Sequence, residues 1–290
     1  MGNRGVVGLP LGLFLLASPL TWAADLQVHH PKGPLLQGDL RSLQVTASEP
    51  LTRLDARFRE LSLPVRPGGK TFTVLLAVDL ETPPDTYPLE FEARGKSGRR
   101  YRRRVRITVA DARFPQQHLT LPKAMVDLDA KTLDRVRREQ TVIAGIWKKW
   151  LGGPYSWRAF IPPLEESVEV SSEFGLRRIL NGQPRRPHSG VDYRTAHGTP
   201  VRASNGGLVV YTGEMFFNGN SVILHHGGGL FTIYLHLQGY RVKAGQKIVK
   251  GDVLGWVGAT GRATGPHLHW GANLRGVRFD PRRLLQLSLP

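Results

Sequence analysis

Histidine is concentrated in the last third of this 290-residue chain. Seven of the 10 histidines lie between His188 and His269. Imidazole nitrogens and carboxylate oxygens both bind Zn²⁺ in proteins, at bond lengths of about 2.0–2.2 Å. Because the sequence contains no cysteine, any metal site must be built from histidine and carboxylate groups. The clustering therefore makes a histidine-based metal site a hypothesis that the rest of the sequence must support.

Two short segments bring candidate ligands close together. His267 and His269 lie in strand-like sequence, where alternate side chains share one face of a sheet. His188 is followed four positions later by Asp192, and Gly190 between them favours a loop that enters a strand. Two histidines and one aspartate satisfy the ligand count of a catalytic zinc site, which leaves a fourth position to water. The spacing alone leaves open a second interpretation, in which strand histidines are simply polar residues at the edge of a core.

The elements that must position these residues are predicted to be β-strands. After residue 156 the composition becomes rich in glycine, and tight turns separate strand-like segments. The predicted strands cover residues 208–212, 221–226, 230–237, 253–257 and 267–272, and His236 falls at a strand end. A helix is expected only at 281–287. The pattern predicts an antiparallel β domain over residues 156–290.

The segment 25–113 is predicted to be a second, smaller β domain. Short alternating strands and turns over about 90 residues are typical of an immunoglobulin-like sandwich. Near its end, alternation places apolar and basic side chains on opposite faces of one strand. The apolar face carries Tyr101, Val105, Ile107 and Val109, and the basic face carries Arg100, Arg102, Arg104 and Arg106. This basic row is either a docking surface for an anionic wall or membrane, or a solvated outer face that discourages aggregation.

Residues 114–155 are predicted to form a linker with one amphipathic helix over 129–150. Asp127 or Asp129 is a suitable N-cap, and Gly152-Gly153-Pro154 ends the helix. Apolar side chains recur at helical spacing at Leu133, Val136, Ile143, Ile146, Trp147 and Trp150. We expect this stripe to pack in a core or between domains.

Charge and the N-terminal segment indicate an exported protein. Residues 1–24 combine a basic start, a short apolar stretch and small residues near Ala23, which is typical of a cleaved signal peptide, with an uncleaved anchor as the alternative. The net charge of +17 predicts an anionic partner. For a protein in the periplasm or cell envelope, we expect that partner to be wall polymer or lipid headgroups, and no nucleic acid.

Six segments occur together in an order that resembles a known family. They are Ser172–Arg177, His188–Asp192, Gly198–Ala203, Tyr234–Leu237, Gly258–Gly261 and Thr264–Trp270. Together they resemble the lysostaphin-type, or LytM-like, zinc endopeptidases. The resemblance implies that His188, Asp192 and His269 bind one zinc ion per chain. It also implies two active-site histidines that are not ligands: His267 as the general base, and His236 as an oxyanion stabiliser or a partner in proton transfer. Asn220 is a candidate for lining the groove, and a turn role suits it equally.

The family resemblance implies a mainly β enzyme that hydrolyses peptide cross-links of peptidoglycan, with D-alanyl–diaminopimelate bonds as the expected substrate. It extends more weakly to the segment 25–113, which resembles the domain that precedes this peptidase in some periplasmic members. An alternative is a catalytically silent relative that activates cell-wall amidases, although all five active-site residues are present. A biotinyl- or lipoyl-type carrier is disfavoured because Lys243, Lys247 and Lys250 lie outside such a motif.

Overall fold

The structure, a computed structural model, describes residues 26–29, 33–67, 70–120, 128–149, 151–152, 158–165 and 168–287. Over these residues the chain is mainly β, as predicted. The first nine strands are β1 (Leu26–His29), β2 (Leu35–Leu36), β3 (Leu40–Ala47), β4 (Leu51–Phe58), β5 (Leu61–Ser62), β6 (Val65–Arg66), β7 (Thr71–Ala77), β8 (Asp85–Gly95) and β9 (Arg100–Ala110).

The remaining elements begin with a connecting strand and a helix, β10 (Gln116–Leu119) and α1 (Ala130–Lys149). The C-terminal strands are β11 (Val170–Ser172), β12 (Arg177–Leu180), β13 (Gln183–Pro184), β14 (Gly190–Arg194), β15 (Pro200–Arg202), β16 (Gly207–Met215), β17 (Gly219–His225), β18 (Leu230–Tyr240), β19 (Lys247–Ile248), β20 (Val253–Val257), β21 (His267–Leu274) and β22 (Val277–Phe279). A 3₁₀-helix at Pro281–Gln286 replaces the helix expected at 281–287.

Two sheets enclose the N-terminal core. One has the strand order β1-β3-β7-β6 and the other β2-β9-β8-β4-β5. Their inner faces share an apolar cluster that includes the fully buried Val45, Val74 and Leu89. The alternation predicted for β9 is present, because Tyr101 and Ile107 are buried while the four arginines of the basic face are exposed. The immunoglobulin-like assignment itself stays a prediction.

The C-terminal sheet places the candidate site strands beside one another. Its main path runs β11-β14-β21-β18-β17-β16-β19, and β15, β20 and β22 pair at its sides. Strand β21 pairs antiparallel with β14 on one side and with β18 on the other. The three strands that carry or adjoin the predicted ligands are therefore consecutive in one sheet, and their backbone hydrogen bonds fix the relative heights of their side chains.

The connection between the two parts is more structured than a linker. Strand β10 pairs in parallel with β12, so residues 116–119 extend a small C-terminal sheet, which the sequence did not predict. Helix α1 begins after Asp129, whose carboxylate accepts the N–H of Thr132 at 2.8 Å. Its residue Ile146 is buried against Ile223 and Phe231, whereas Leu133 of the predicted stripe stays exposed. Asp127 and Trp150 lie outside the described residues.

The N-terminal sheets also contribute to the C-terminal core. Leu40, Leu75 and Leu80 belong to the same apolar cluster as the buried residues of the C-terminal sheet. At the edge of this contact, Arg278 donates to the Asp79 carboxylate at 2.8 Å and to Glu81 at 2.6 Å. The two parts are thus packed through a shared core closed by ion pairs.

The predicted signal segment 1–24 lies outside the described residues. Within the described ranges, no helix combines the length and the apolar composition that crossing a bilayer would need.

Candidate metal centre

The pairing of β14 with β21 places Asp192 directly opposite His269. Side chains of directly opposed residues in an antiparallel pair lie on the same face, with Cβ atoms about 4.5–5.5 Å apart. The two residues are 77 positions apart in the sequence, yet Asp192 Oδ1 lies 2.9 Å from His269 Nδ1. The strand register therefore creates this half of the site.

His188 reaches the same point from the loop before β14. Its backbone N–H donates to Leu176 at 3.0 Å, and its carbonyl accepts the N–H of Gly175 at 2.8 Å. On its side chain, Nδ1 lies 2.8 Å from the carbonyl oxygen of Glu173. Because a carbonyl only accepts, Nδ1 carries the proton, and the Nε2 lone pair of the neutral ring faces Asp192.

Three donor atoms converge at this point. His188 Nε2 lies 3.0 Å from Asp192 Oδ1 and 3.0 Å from His269 Nδ1. The three side chains are only 9%, 14% and 10% exposed, in chain order. Tetrahedral bonds of about 2.1 Å would hold such donors about 3.4 Å apart, so outward shifts of a few tenths of an ångström admit a zinc ion. Converging lone pairs and a carboxylate form a donor set that a cation satisfies.

The electrostatics of this cluster favour a charged Asp192 carboxylate and a neutral His269 imidazole. Burial raises the pKa of the Asp192 carboxyl, but its close contacts with the His188 and His269 rings outweigh this effect and hold the pKa well below its usual range. Burial lowers the pKa of His269. Metal binding requires these protonation states, because only deprotonated ligands coordinate.

Glycine at position 190 makes room for a ligand. A Cβ placed there would lie 2.4 Å from the carbonyl oxygen of Trp270 and 2.6 Å from His269 Nε2. Any larger residue would push the imidazole or separate β14 from β21. The sequence predicts that Gly190 lies where a loop enters a strand. The structure shows why the residue is glycine: the His269 ring approaches too closely to leave room for a side chain.

His236 and His267 lie together beside the three converging donors. Their ring centroids are 4.6 Å apart, and the His236 ring is 6.2 Å from that of His269. His236 Nδ1 contacts the Thr260 carbonyl at 2.9 Å, and His267 Nδ1 contacts the Gly265 carbonyl at 2.9 Å. In its neutral form, each ring therefore carries the proton on Nδ1 and leaves Nε2 as an acceptor.

The backbone at His236 is unusual for this residue type. Its φ of 61° is in the left-handed region, within a β-strand. Its N–H donates to the Asn218 carbonyl at 2.9 Å, which holds the conformation. Burial, and then the proximity of the ionisable His269, lower the pKa of His236 to about 4. The ring is therefore neutral at physiological pH.

Asn220 lies on the wall beside these histidines, half-buried on β17. Its side-chain Nδ2 donates to the Gln238 carbonyl at 3.1 Å, and its backbone N–H donates to Thr260 Oγ1 at 2.9 Å. The Thr260 hydroxyl in turn donates to the Leu237 carbonyl at 2.8 Å. The amide group thus has a local bonding role, and its predicted contact with substrate stays a prediction.

Two residues that sequence reasoning did not single out support the site. Ser172 Oγ lies 3.3 Å from His188 Nδ1 and accepts from Arg178 Nη2 at 3.0 Å. Thr260 bridges the His236 segment to β17. Both residues lie in the motif segments 172–177 and 258–261, so their membership in a motif was the only sequence signal for a role in the site. Their contacts depend on packing between distant segments, which the motifs do not specify.

Comparison with known proteins gives a consistent result. Residues 186–281 match the model of Peptidase family M23. The DD-carboxypeptidase/endopeptidase Mpg of Neisseria meningitidis is 41% identical over 123 residues, which is 42% of this chain and 28% of that protein. The peptidoglycan DD-endopeptidase ShyA of Vibrio cholerae is 43% identical over 129 residues, 44% of this chain and 29% of that protein. The chain thus spans less than a third of the length of these curated relatives.

A crystal structure from Pseudomonas aeruginosa, described as of the M23 peptidase class, matches over most of the chain. It has a TM-score of 0.67 and 29% identity, and the match covers 88% of this chain and 96% of that one. The likeness therefore includes the N-terminal sheets as well as the site strands. The segment 186–281, which contains all five predicted site residues, is thus similar in sequence to Peptidase family M23.

Proposed function

We propose that this protein is a zinc endopeptidase that hydrolyses the peptide cross-links of peptidoglycan. The observation that carries the proposal is the convergence of His188 Nε2, Asp192 Oδ1 and His269 Nδ1 within about 3 Å of one another in an M23 domain. The names of the relatives, a peptidoglycan DD-endopeptidase among them, support the substrate class. A silent amidase activator is disfavoured because it would not need a complete donor set.

In this proposal, His188, Asp192 and His269 hold one zinc ion per chain. The donor set is suitable, because two imidazoles and one carboxylate match the three-ligand pattern of catalytic zinc. The Nδ1 contact of His188 with the Glu173 carbonyl is the kind of interaction that orients a ligating imidazole. When bound, zinc supplies a water of lowered pKa, about 7, and polarises a carbonyl oxygen.

The two remaining histidines act on the attacking water in different ways. His267 accepts the proton of the attacking water at Nε2 and returns it to the nitrogen of the leaving amine. The pKa of about 4 makes His236 a poorer proton acceptor at neutral pH, which supports His267 as the base. Because His236 Nδ1 is committed to the Thr260 carbonyl, its neutral ring accepts at Nε2. We therefore favour His236 as an acceptor that orients the water, over a donor to the oxyanion.

For the bond, we propose the D-alanyl–diaminopimelate cross-bridge. The relatives named DD-endopeptidases act, by that name, between two D-configured centres. Groove residues of this chain, with Asn220 among the candidates, would contact the peptide on either side of that bond.

The proposed location is the periplasm or cell envelope, since a peptidoglycan hydrolase must meet the wall. The predicted signal peptide at 1–24 supports export. The basic face of β9 is a candidate for contact with anionic wall or lipid, although two of its arginines have carboxylate partners. Arg102 pairs with Glu92 at 3.2 Å and Arg104 with Glu90 at 2.6 Å. Docking would therefore depend mainly on Arg100 and Arg106.

We further propose that residues 25–113 form an immunoglobulin-like domain and 156–290 the peptidase domain. The two-sheet core supports the first unit and the continuous C-terminal sheet supports the second. The segment 114–155 is then a structured connector, because β10 and α1 both pack against the peptidase part.

The decisive test is digestion of cross-linked peptidoglycan by the purified chain, followed by mass spectrometry of the released muropeptides. We expect release that a chelator abolishes and added zinc restores. His269→Ala should lose activity by at least about 10³-fold, because one ligand is lost, whereas the exposed His197→Ala should not. Release that is indifferent to chelator and to His269→Ala would refute the zinc mechanism. Absence of release together with stimulation of an amidase would favour the silent activator.

A further inference from the structure

Three arginines from different segments gather beside the metal centre. Arg178 lies on β12, and Arg185 follows β13 and donates its backbone N–H to the Arg178 carbonyl at 2.9 Å. Arg262 comes from the loop between β20 and β21, and its guanidinium lies 4.2 Å from the centroid of the Phe217 ring. Burial, and then the charges of Arg185 and Arg178, lower the pKa of Arg262. We call these three residues the guanidinium cluster.

The cluster adjoins the candidate catalytic groups on two sides. Arg178 Nη2 donates to Ser172 Oγ at 3.0 Å, and that hydroxyl touches the ring of His188. Arg262 lies two residues after Thr260, whose carbonyl orients His236. Its backbone N–H donates to the Phe217 carbonyl at 3.0 Å, which ties this loop to the adjacent one. The cluster therefore lies beside the candidate catalytic groups.

Two partly buried arginines of the C-terminal part show the alternative, in which the chain itself supplies the carboxylate. Arg278 binds Asp79 and Glu81, and Arg282 binds Asp280 and Glu173. Within the described residues, neither Arg178 nor Arg262 has a carboxylate within ion-pair distance. The known side-chain partners of Arg178 are neutral, namely Ser172 and Gln117.

Repulsion between these like charges destabilises the guanidinium cluster when no anion is bound. Each guanidinium is permanently charged and presents a planar set of donors that matches a carboxylate. A carboxylate between Arg178 and Arg262 would offset the mutual repulsion and accept charge-assisted hydrogen bonds. Arg178 and Arg262 thus have the charge and donor chemistry of an anion site, and no carboxylate of the described residues lies within ion-pair distance of either.

The proposed substrate supplies such an anion in the right position. In a D-alanyl–diaminopimelate cross-bridge, the nitrogen of the scissile amide is attached to a carbon that also carries a free carboxylate. Binding this carboxylate at the guanidinium cluster would place the amide nitrogen beside the groups that must protonate it. We propose that the guanidinium cluster is the subsite for the free carboxylate on the leaving-amine side of the scissile bond. This inference rests on the proposed function and specifies its substrate.

The test compares two cross-linked stem peptides that differ only at this group, one with the free carboxylate and one with the carboxamide. With the zinc-loaded full chain, we expect KM to be at least about tenfold lower for the carboxylate form, with a smaller change in kcat. Calorimetry with the full chain after chelation should give a similar ratio of Kd values without any contribution from the metal. Arg178→Gln and Arg262→Gln should each reduce the ratio to about twofold or less.

Arg177→Gln is the matched control, because alternation places this neighbouring arginine on the opposite face of β12. It should keep the wild-type ratio. Equal affinity for the two peptides, failure of the wild-type chain to bind either peptide, or equal effects of Arg177→Gln and Arg178→Gln would each overturn the subsite. Circular dichroism and zinc content should match the wild type in all variants, so that a folding defect is recognised. Selective binding without hydrolysis would support the subsite and refute the endopeptidase proposal. Hydrolysis without selectivity would support the endopeptidase proposal and refute the subsite.

Discussion

Replacing Gly190 by alanine tests whether the close approach of β14 to the His269 ring is essential to the metal centre. The added Cβ would lie 2.6 Å from His269 Nε2 and 2.4 Å from the Trp270 carbonyl oxygen, against 3.4 Å for ordinary contact. Relief requires a shift of roughly 0.8 Å at the imidazole, or separation of the two strands. Metal–ligand distances tolerate deviations of only about 0.2 Å, so the imidazole can no longer meet the other two donors.

We expect Gly190→Ala to weaken zinc binding by about 100-fold and to reduce the free energy of unfolding by about 1–3 kcal/mol, as overpacking does in cores. Competition with a zinc-binding indicator measures the first effect, and denaturant unfolding measures the second. Gly239→Ala is the control, because a Cβ there has no neighbour within 4 Å. Wild-type zinc affinity in Gly190→Ala would show that the donors are not held by this contact.

Two further predictions concern stability. Burial lowers the pKa of His226 to about 4, against the ordinary histidine value of 6.5. The unfolded chain therefore binds a proton that the folded chain excludes as pH falls from about 6.5 to 4, and this residue removes about 3 kcal/mol from the free energy of unfolding over that range. Denaturant unfolding at pH 7 and pH 4 checks this, and an equal pH dependence in His226→Gln would contradict it. Glu139 of α1 accepts the N–H of Phe216 at 3.0 Å, so Glu139→Gln should lower the free energy of unfolding by about 1–2 kcal/mol. The exposed Glu214→Gln should change it by less than about 0.5 kcal/mol, and equal losses would argue against the helix-to-loop contact.

The local pattern was sufficient for most of the strands near the site. The strand predicted at 253–257 is β20, and the alternation in β9 separates buried from exposed side chains as expected. Period-two alternation depends only on neighbouring residues, so it can be read from the chain. The same reasoning placed His267 and His269 on one face, but it could not supply the partner strand. The opposition of Asp192 and His269 depends on register between distant segments, which no local signal specifies.

Three other features were beyond local reasoning. A left-handed residue in a strand is rare outside glycine, so no sequence pattern predicts this conformation at His236. Strand β10 has only four residues and forms because β12 offers it an edge. The guanidinium cluster joins Arg178 to Arg262 across more than 80 residues, and its only trace in the sequence is a pair of arginine doublets, at 177–178 and 185–186.

The shared core determines whether the C-terminal part can be produced without the N-terminal sheets. Leu40, Leu75 and Leu80 are buried at 1%, 0% and 0% exposure, and they cover apolar groups of the C-terminal sheet. Cutting the chain near residue 156 would uncover that surface and sever the Asp79 contact of Arg278. The isolated C-terminal part would expose this apolar surface to solvent and aggregate more readily than the intact chain.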